Sequence, residues 1–170
     1  YGLSTGAPSV GSTLLDASAA WDYLTDERGF AVREIVIYSR SLGGAVALEL
    51  TQEVEAAAVI LESTFTSLAE MAQATYPYLP TGLLLRYRYP NIQRIQRVSQ
   101  PLFIAPSRDD KLIPFEQAER LYAAAESAER RIFYELAGSH NRAFVRGGEA
   151  YYQALADFVS ASLTSLESQR

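Results

Sequence analysis

The stretch that decides the fold is EIVIYSRSLGGAVALEL, residues 34–50. Ile35, Val36, Ile37 and Tyr38 make the short apolar run of a buried strand, and Ala45 to Leu50 the Ala/Val/Leu-rich run of a helix. Only Ser39-Arg40-Ser41-Leu42-Gly43-Gly44 lies between them. Such a corner either merely connects two elements or holds a serine up as a nucleophile. In the second case the serine sits on a strained strand-to-helix turn with its Oγ exposed, and small residues two before and two after it let the crowded backbones approach. Gly43 and Gly44 meet that need on the helix side, and Ser39 on the strand side. Ser41 is thus the candidate nucleophile, and the helix start offers the Leu42 backbone N–H to an oxyanion. The competing reading is that Ser41 only caps the helix. Ser39 is a weaker rival nucleophile, because it lacks a glycine at the required offset.

Outward from this corner, apolar strands alternate with helices. Thr13-x-x-Asp16 resembles a capping box, followed by Leu14, Ala17, Trp21 and Leu24 at helical spacing up to Arg28-Gly29. The strand over 34–39 leads into a helix from Leu42 to about Gln52. A second strand, 56–63, is an uninterrupted apolar run, as expected when both faces are covered. Ser67-x-x-Glu70 caps the next helix, through Thr75, and an irregular stretch follows with a short helix around 81–86. Strands over 101–107 and 130–137 flank a helix that starts at Pro114 and runs to about Glu126. After Gly147-Gly148, a closing helix carries the stripe Tyr152, Leu155, Val159 and Leu163. The alternation predicts an α/β fold: a parallel sheet of about four strands covered by helices on both faces, in one domain over 1–170.

Composition narrows the function. The 170 residues include no cysteine and one histidine, which excludes thiolate catalysis, disulfides, Cys-ligated zinc and a multi-histidine metal site. A net charge of −5 argues against a nucleic-acid partner, which selects for a basic face. No apolar run reaches the roughly 18 residues of a membrane span. Neither a Gly-x-Gly-x-x-Gly nor a P-loop follows a strand, which disfavours a nucleotide-binding domain.

In a doubly covered parallel sheet, function collects beyond the carboxyl ends of the strands. After the third strand comes SRDDKLIP, with Asp109 and Asp110 adjacent; after the fourth comes AGSHNRAF, with His140. Taken singly, aspartates are common in loops, and a lone histidine is more often structural. Together, Ser41, Asp110 and His140 each follow a different predicted strand at one end of one sheet, in the chain order Ser, Asp, His. A carboxylate there can orient the imidazole and stabilise the imidazolium, and the imidazole can deprotonate the serine.

The segments YGLSTGAPS, DASAAWDYLTDERG, IVIYSRSLGGAVALEL, LESTFTSLAEMA, RIQRVSQPLFIAPSRDDKLIP and GSHNRAF closely resemble the α/β-hydrolase superfamily, nearest to its membrane-tethered and depalmitoylase-like serine hydrolases. The resemblance covers essentially the whole chain. It implies Ser41 as nucleophile, Asp110 rather than Asp109 as acid, and His140 as general base. Pro106-Ser107 stand where the family usually has His-Gly, and Ser39 where it has glycine. It also implies that the family's first strands, and the loop giving a second oxyanion N–H, precede Tyr1. The chain would then be the C-terminal portion of the fold, and its apolar strand 34–39 an edge that a longer parent covers. The same resemblance implies either a cytoplasmic location or a membrane association, through that preceding segment, facing the cytoplasm.

The function expected is a serine hydrolase cleaving a carboxylic ester or thioester of a small molecule or an acylated protein, through an acyl-enzyme on Ser41. That chemistry requires no cofactor or metal. A peptidase-type hydrolase and a non-catalytic binding domain of the same fold are the alternatives. Three further features are open. The Tyr/Arg-rich segment from Tyr76 to Arg97 reads as an irregular crossover, ahead of a small cap over the site or a lipid-facing surface. Arg40 reads as a solvated side chain, ahead of a contact for an anionic substrate. Glu62 reads as an anchor for the following loop through backbone N–H groups, ahead of a reserve acid.

Overall fold

The computed structural model describes residues 5, 7, 9–75, 78 and 89–167. Four strands form one parallel sheet in the order β1-β2-β3-β4: β1 Val36–Arg40, β2 Ala58–Glu62, β3 Leu102–Ala105 and β4 Arg131–Phe133. Each overlaps its predicted run but is shorter, and β1 ends one residue later, at Arg40. Pairing resumes past Pro106 with an isolated parallel bridge between Ser107 and Leu136, which draws the loops after β3 and β4 together.

All five residues of β2 are buried, because successive side chains feed two different cores. On one face, Val59, Leu61, Leu102 and Ile104 pack against α2 (Leu42–Leu50), the helical turns Asn91–Arg94 (α4) and Ile95–Arg97, and α5 (Phe115–Ala124). On the other, Ala58, Ile60, Phe103 and Ala105 pack against Tyr151 and Phe158 of α6 (Ala143–Glu167). Helices therefore cover both faces, as the uninterrupted apolar strands required.

Differences from the sequence expectation have local causes. Helix α1 (Val10–Asp22) starts a turn before Thr13, because Ser9 and Ser12 form the capping box: the Ser12 N–H donates to Ser9 Oγ at 3.0 Å, and the Ser9 N–H to Ser12 Oγ at 2.8 Å. Helix α3 (Leu68–Thr75) begins as expected, with Ser67 Oγ accepting the Glu70 N–H at 3.1 Å. Helices α2 and α5 end at Leu50 and Ala124, each about half a turn short of its expected end. Helix α6 begins at Ala143, not after Gly148; Gly148, at φ 57° and ψ −154°, kinks it into two stretches. Tyr151, Phe158 and Ser162 face inward, and Tyr152 is half exposed. The expected helix over 81–86 lies outside the described residues, as does most of the segment considered as a crossover or cap. Among the described residues, no helix is long and apolar enough to cross a membrane.

Candidate active site

Ser41 sits between the last residue of β1 and the first of α2, at φ 53° and ψ −122°. A non-glycine residue in this region is strained, and the surrounding bonds must hold it there. They do: the Ser41 N–H donates to the Glu62 carbonyl at 2.9 Å, and the Ser41 carbonyl accepts Thr64 Oγ1 at 2.9 Å and the Gly44 N–H at 3.0 Å. The close approach falls on Gly44, where a Cβ would lie 2.2 Å from Thr64 Oγ1. A Cβ at Gly43 would rest in ordinary contact, 3.9 Å from Ser39 Cβ. Ser39 itself is buried and donates its hydroxyl to the Ile60 carbonyl at 3.2 Å, so it faces into the sheet and not the site.

The loop after β3 supplies a carboxylate and the loop after β4 an imidazole. His140 Nε2 lies 2.8 Å from Ser41 Oγ, and His140 Nδ1 lies 2.6 Å from Asp110 Oδ2. The Asp110 side chain is buried, and its other oxygen accepts the N–H groups of Leu112 at 2.8 Å and Ile113 at 3.0 Å. Those two bonds aim the carboxylate. With Asp110 accepting from Nδ1–H, the free lone pair of the neutral ring is on Nε2, facing the serine hydroxyl.

Asp109 points elsewhere, accepting the Gly138 N–H at 2.7 Å, while Ser107 Oγ donates to the Gly138 carbonyl at 2.5 Å. Both ends of the Gly138 unit are thereby tied to the loop after β3, two residues before His140. The sequence reading gave neither residue a role. The available signal was Ser107 itself, a small hydroxyl at a position where the family usually differs.

Glu62 is neither a reserve acid nor an anchor through backbone N–H groups. It is fully buried at the end of β2, and its Oε2 accepts the hydroxyls of Tyr38 at 2.5 Å and Tyr151 at 3.0 Å. Burial, then the hydrogen bond to Glu62 and its charge, push the Tyr38 hydroxyl up to about 12. Burial and the Glu62 charge push Tyr151 further still. Arg40 is not a solvated side chain either; its guanidinium turns toward Glu62 and the His140 loop.

Next to Ser41 opens a cavity of about 540 Å³, lined largely by apolar side chains, among them Leu42, Val46, Phe65, Leu68, Met71 and Leu112. Leu42 is the first residue of α2, where a backbone N–H has no intrahelical acceptor.

No family model matches the chain. The chain is 31% identical over 176 residues to the alpha/beta hydrolase domain-containing protein WAV2 of Arabidopsis thaliana, covering 94% of this chain and 57% of that protein. It is 30% identical over 168 residues to protein bem46 of Schizosaccharomyces pombe, covering 94% and 54%. The chain thus spans little more than half the length of the curated relatives it matches. Among solved structures, the Pyrococcus furiosus esterase Pf2001 superposes with a TM-score of 0.78 at 20% identity, over 95% of this chain and 67% of that one. A puromycin-hydrolyzing peptidase of Mycobacterium tuberculosis superposes at 0.61 with 22% identity, over 75% and 22%. With four parallel strands between helices and these neighbours, the chain has part of the α/β-hydrolase fold, and its relatives include an alpha/beta hydrolase domain-containing protein.

Proposed function

We propose that this chain carries the nucleophile, base and acid of a serine hydrolase that cleaves a carboxylic ester or thioester. The observation that carries the reading is the unbroken line of contacts from Ser41 Oγ through His140 to the buried Asp110. In the reaction, Ser41 Oγ attacks the acyl carbonyl as its proton passes to His140 Nε2. Asp110 stabilises the resulting imidazolium and keeps the ring oriented. The oxyanion takes a hydrogen bond from the Leu42 N–H. Collapse of the tetrahedral intermediate breaks the bond to the alcohol or thiol, which leaves with the proton held by His140. Water, deprotonated by the same ring, then releases the carboxylic acid and frees Ser41.

The apolar cavity beginning at Ser41 suits the hydrocarbon of an acyl group and supports an ester or thioester over a peptide bond. The carrier of that acyl group is a small molecule or an acylated protein.

Labelling with a fluorophosphonate probe and turnover of acyl p-nitrophenyl esters and acyl thioesters test the reading. Both are expected in the native protein, and Ser41→Ala should eliminate labelling and lower kcat by roughly six orders of magnitude. Labelling that survives Ser41→Ala refutes the assignment. A folded native protein that neither labels nor turns over ester leaves the non-catalytic binding domain, and faster cleavage of peptide anilides than of esters leaves the peptidase.

A further inference from the structure

Arg40 is the last residue of β1 and stands immediately before Ser41. It pairs across the sheet with Glu62, so both side chains leave on the same face, the one that α6 covers. Two tyrosine hydroxyls occupy Glu62 Oε2. Oε1 accepts no hydrogen bond, but Arg40 Nε meets it at 3.1 Å as a contact of opposite charges. A carboxylate with no exposed surface needs such a cation close by.

The same guanidinium reaches the loop after β4. Its Nη2 donates to the backbone carbonyl of His140 and, at 3.1 Å, to Asn141 Oδ1. Its carbon lies 5.3 Å from the centre of the Phe144 ring. One side chain thus touches three residues of the segment that carries the imidazole. Asp110 holds the ring of His140 and Arg40 holds its backbone.

We propose that Arg40, anchored on the buried Glu62, is a positioning residue that fixes the His140 backbone so that the imidazole stands between Asp110 and Ser41. The proposal rests on the serine-hydrolase reading and adds a residue to it. Because Arg40 adjoins Ser41 in the chain, it ties base and nucleophile to the same strand end. A displacement of about 1 Å is enough to break such a line and cost about a hundredfold in rate. The planar fork of arginine suits the task, since it can meet a carboxylate and a carbonyl at once, as a lysine ammonium on a flexible stem does not.

His140 is the one histidine of the chain, so its nitrogen NMR signals are unambiguous. The native neutral ring is expected as a single tautomer with its proton on Nδ1, facing Asp110. Arg40→Met keeps the stem and loses every donor. It is expected to mix the two tautomers and to slow fluorophosphonate labelling of Ser41 about ten- to a hundredfold, while unfolding stays cooperative. Arg40→Lys keeps a charge beside Glu62 without the fork, and carries the test if the methionine variant does not fold; it should label about tenfold more slowly than the native protein. A folded variant with one Nδ1–H tautomer and native labelling overturns the proposal and leaves the hydrolase reading intact. Failure of both variants to fold also counts against it, since Arg40 would then serve the fold and not the ring. A native protein that does not label overturns the hydrolase reading instead, and the tautomer comparison still decides whether Arg40 holds His140.

Discussion

Asp109 and Asp110 are neighbours of the same chemistry, yet one accepts a backbone N–H from Gly138 and the other meets the imidazole. Their replacement should therefore separate them. Asp110→Asn is expected to lower kcat about ten-thousandfold, because the amide favours the wrong tautomer of His140, with little loss of fold. Asp109→Asn keeps an amide oxygen that can accept the Gly138 N–H and should cost far less. Steady-state ester hydrolysis measures both, and equal losses would mean that the two carboxylates are misassigned. The glycines after Ser41 divide in the same way. A Cβ at Gly44 would overlap Thr64, whereas one at Gly43 meets only ordinary contact. Gly44→Ala should destabilise the protein by about 1–3 kcal/mol. Gly43→Ala should be neutral or gain up to about 1 kcal/mol of helix propensity. Urea unfolding of the pair decides it, and an unaffected Gly44→Ala protein would refute the packing argument.

At the scale of elements, the kink in α6 lets one helix do two jobs. Its first stretch follows the His140 turn, and its second lays Tyr151 and Phe158 against β3. Gly147 packs closely there, since a Cβ would lie 2.6 Å from Tyr151 Cβ and 2.9 Å from Leu136 Cδ2. Gly148 has open space around it but a backbone conformation that only glycine adopts readily. Gly148→Ala is thus a backbone test without a clash, with an expected loss of about 1–3 kcal/mol in denaturant unfolding. A stability unchanged from the native value would mean that the helix can straighten at no cost.

Across the whole molecule, the buried Glu62 joins β1, β2 and α6 through Tyr38, Tyr151 and Arg40. Both tyrosine hydroxyls are held above their ordinary value of 10.0, first by burial and then by the neighbouring carboxylate. Above pH 10 the unfolded chain therefore sheds protons that the folded protein retains. Stability is expected to be fully present below that pH, to fall as pH rises through the value of about 12 for Tyr38, and to keep falling beyond it for Tyr151. Denaturant unfolding at about pH 9 and about pH 11 reads the slope, which Tyr151→Phe should flatten. A slope that the substitution leaves unchanged would show that the loss at high pH arises elsewhere.

Much of this architecture was legible in the residues alone. Apolar runs over 56–63 and 101–107, set between helical periodicities, require strands buried on both faces, and parallel strands put the loops holding Ser41, Asp110 and His140 at one end. That reasoning is local: periodicity and turn chemistry act over a few residues. The contacts inside the site are not. His140 meets Ser41 across 99 residues of chain and Asp110 across 30. Which of Ser39 and Ser41, and which of the neighbours Asp109 and Asp110, faces the imidazole depends on the direction each side chain takes. The place of Gly44 against Thr64, the tie of Ser107 and Asp109 to Gly138, and the turning of Arg40 from solvent to Glu62 and His140 were likewise decided only in three dimensions. Residue type supplies the hydrogen-bonding groups, but only the packed strand ends set how far apart they stand and which partner each one meets.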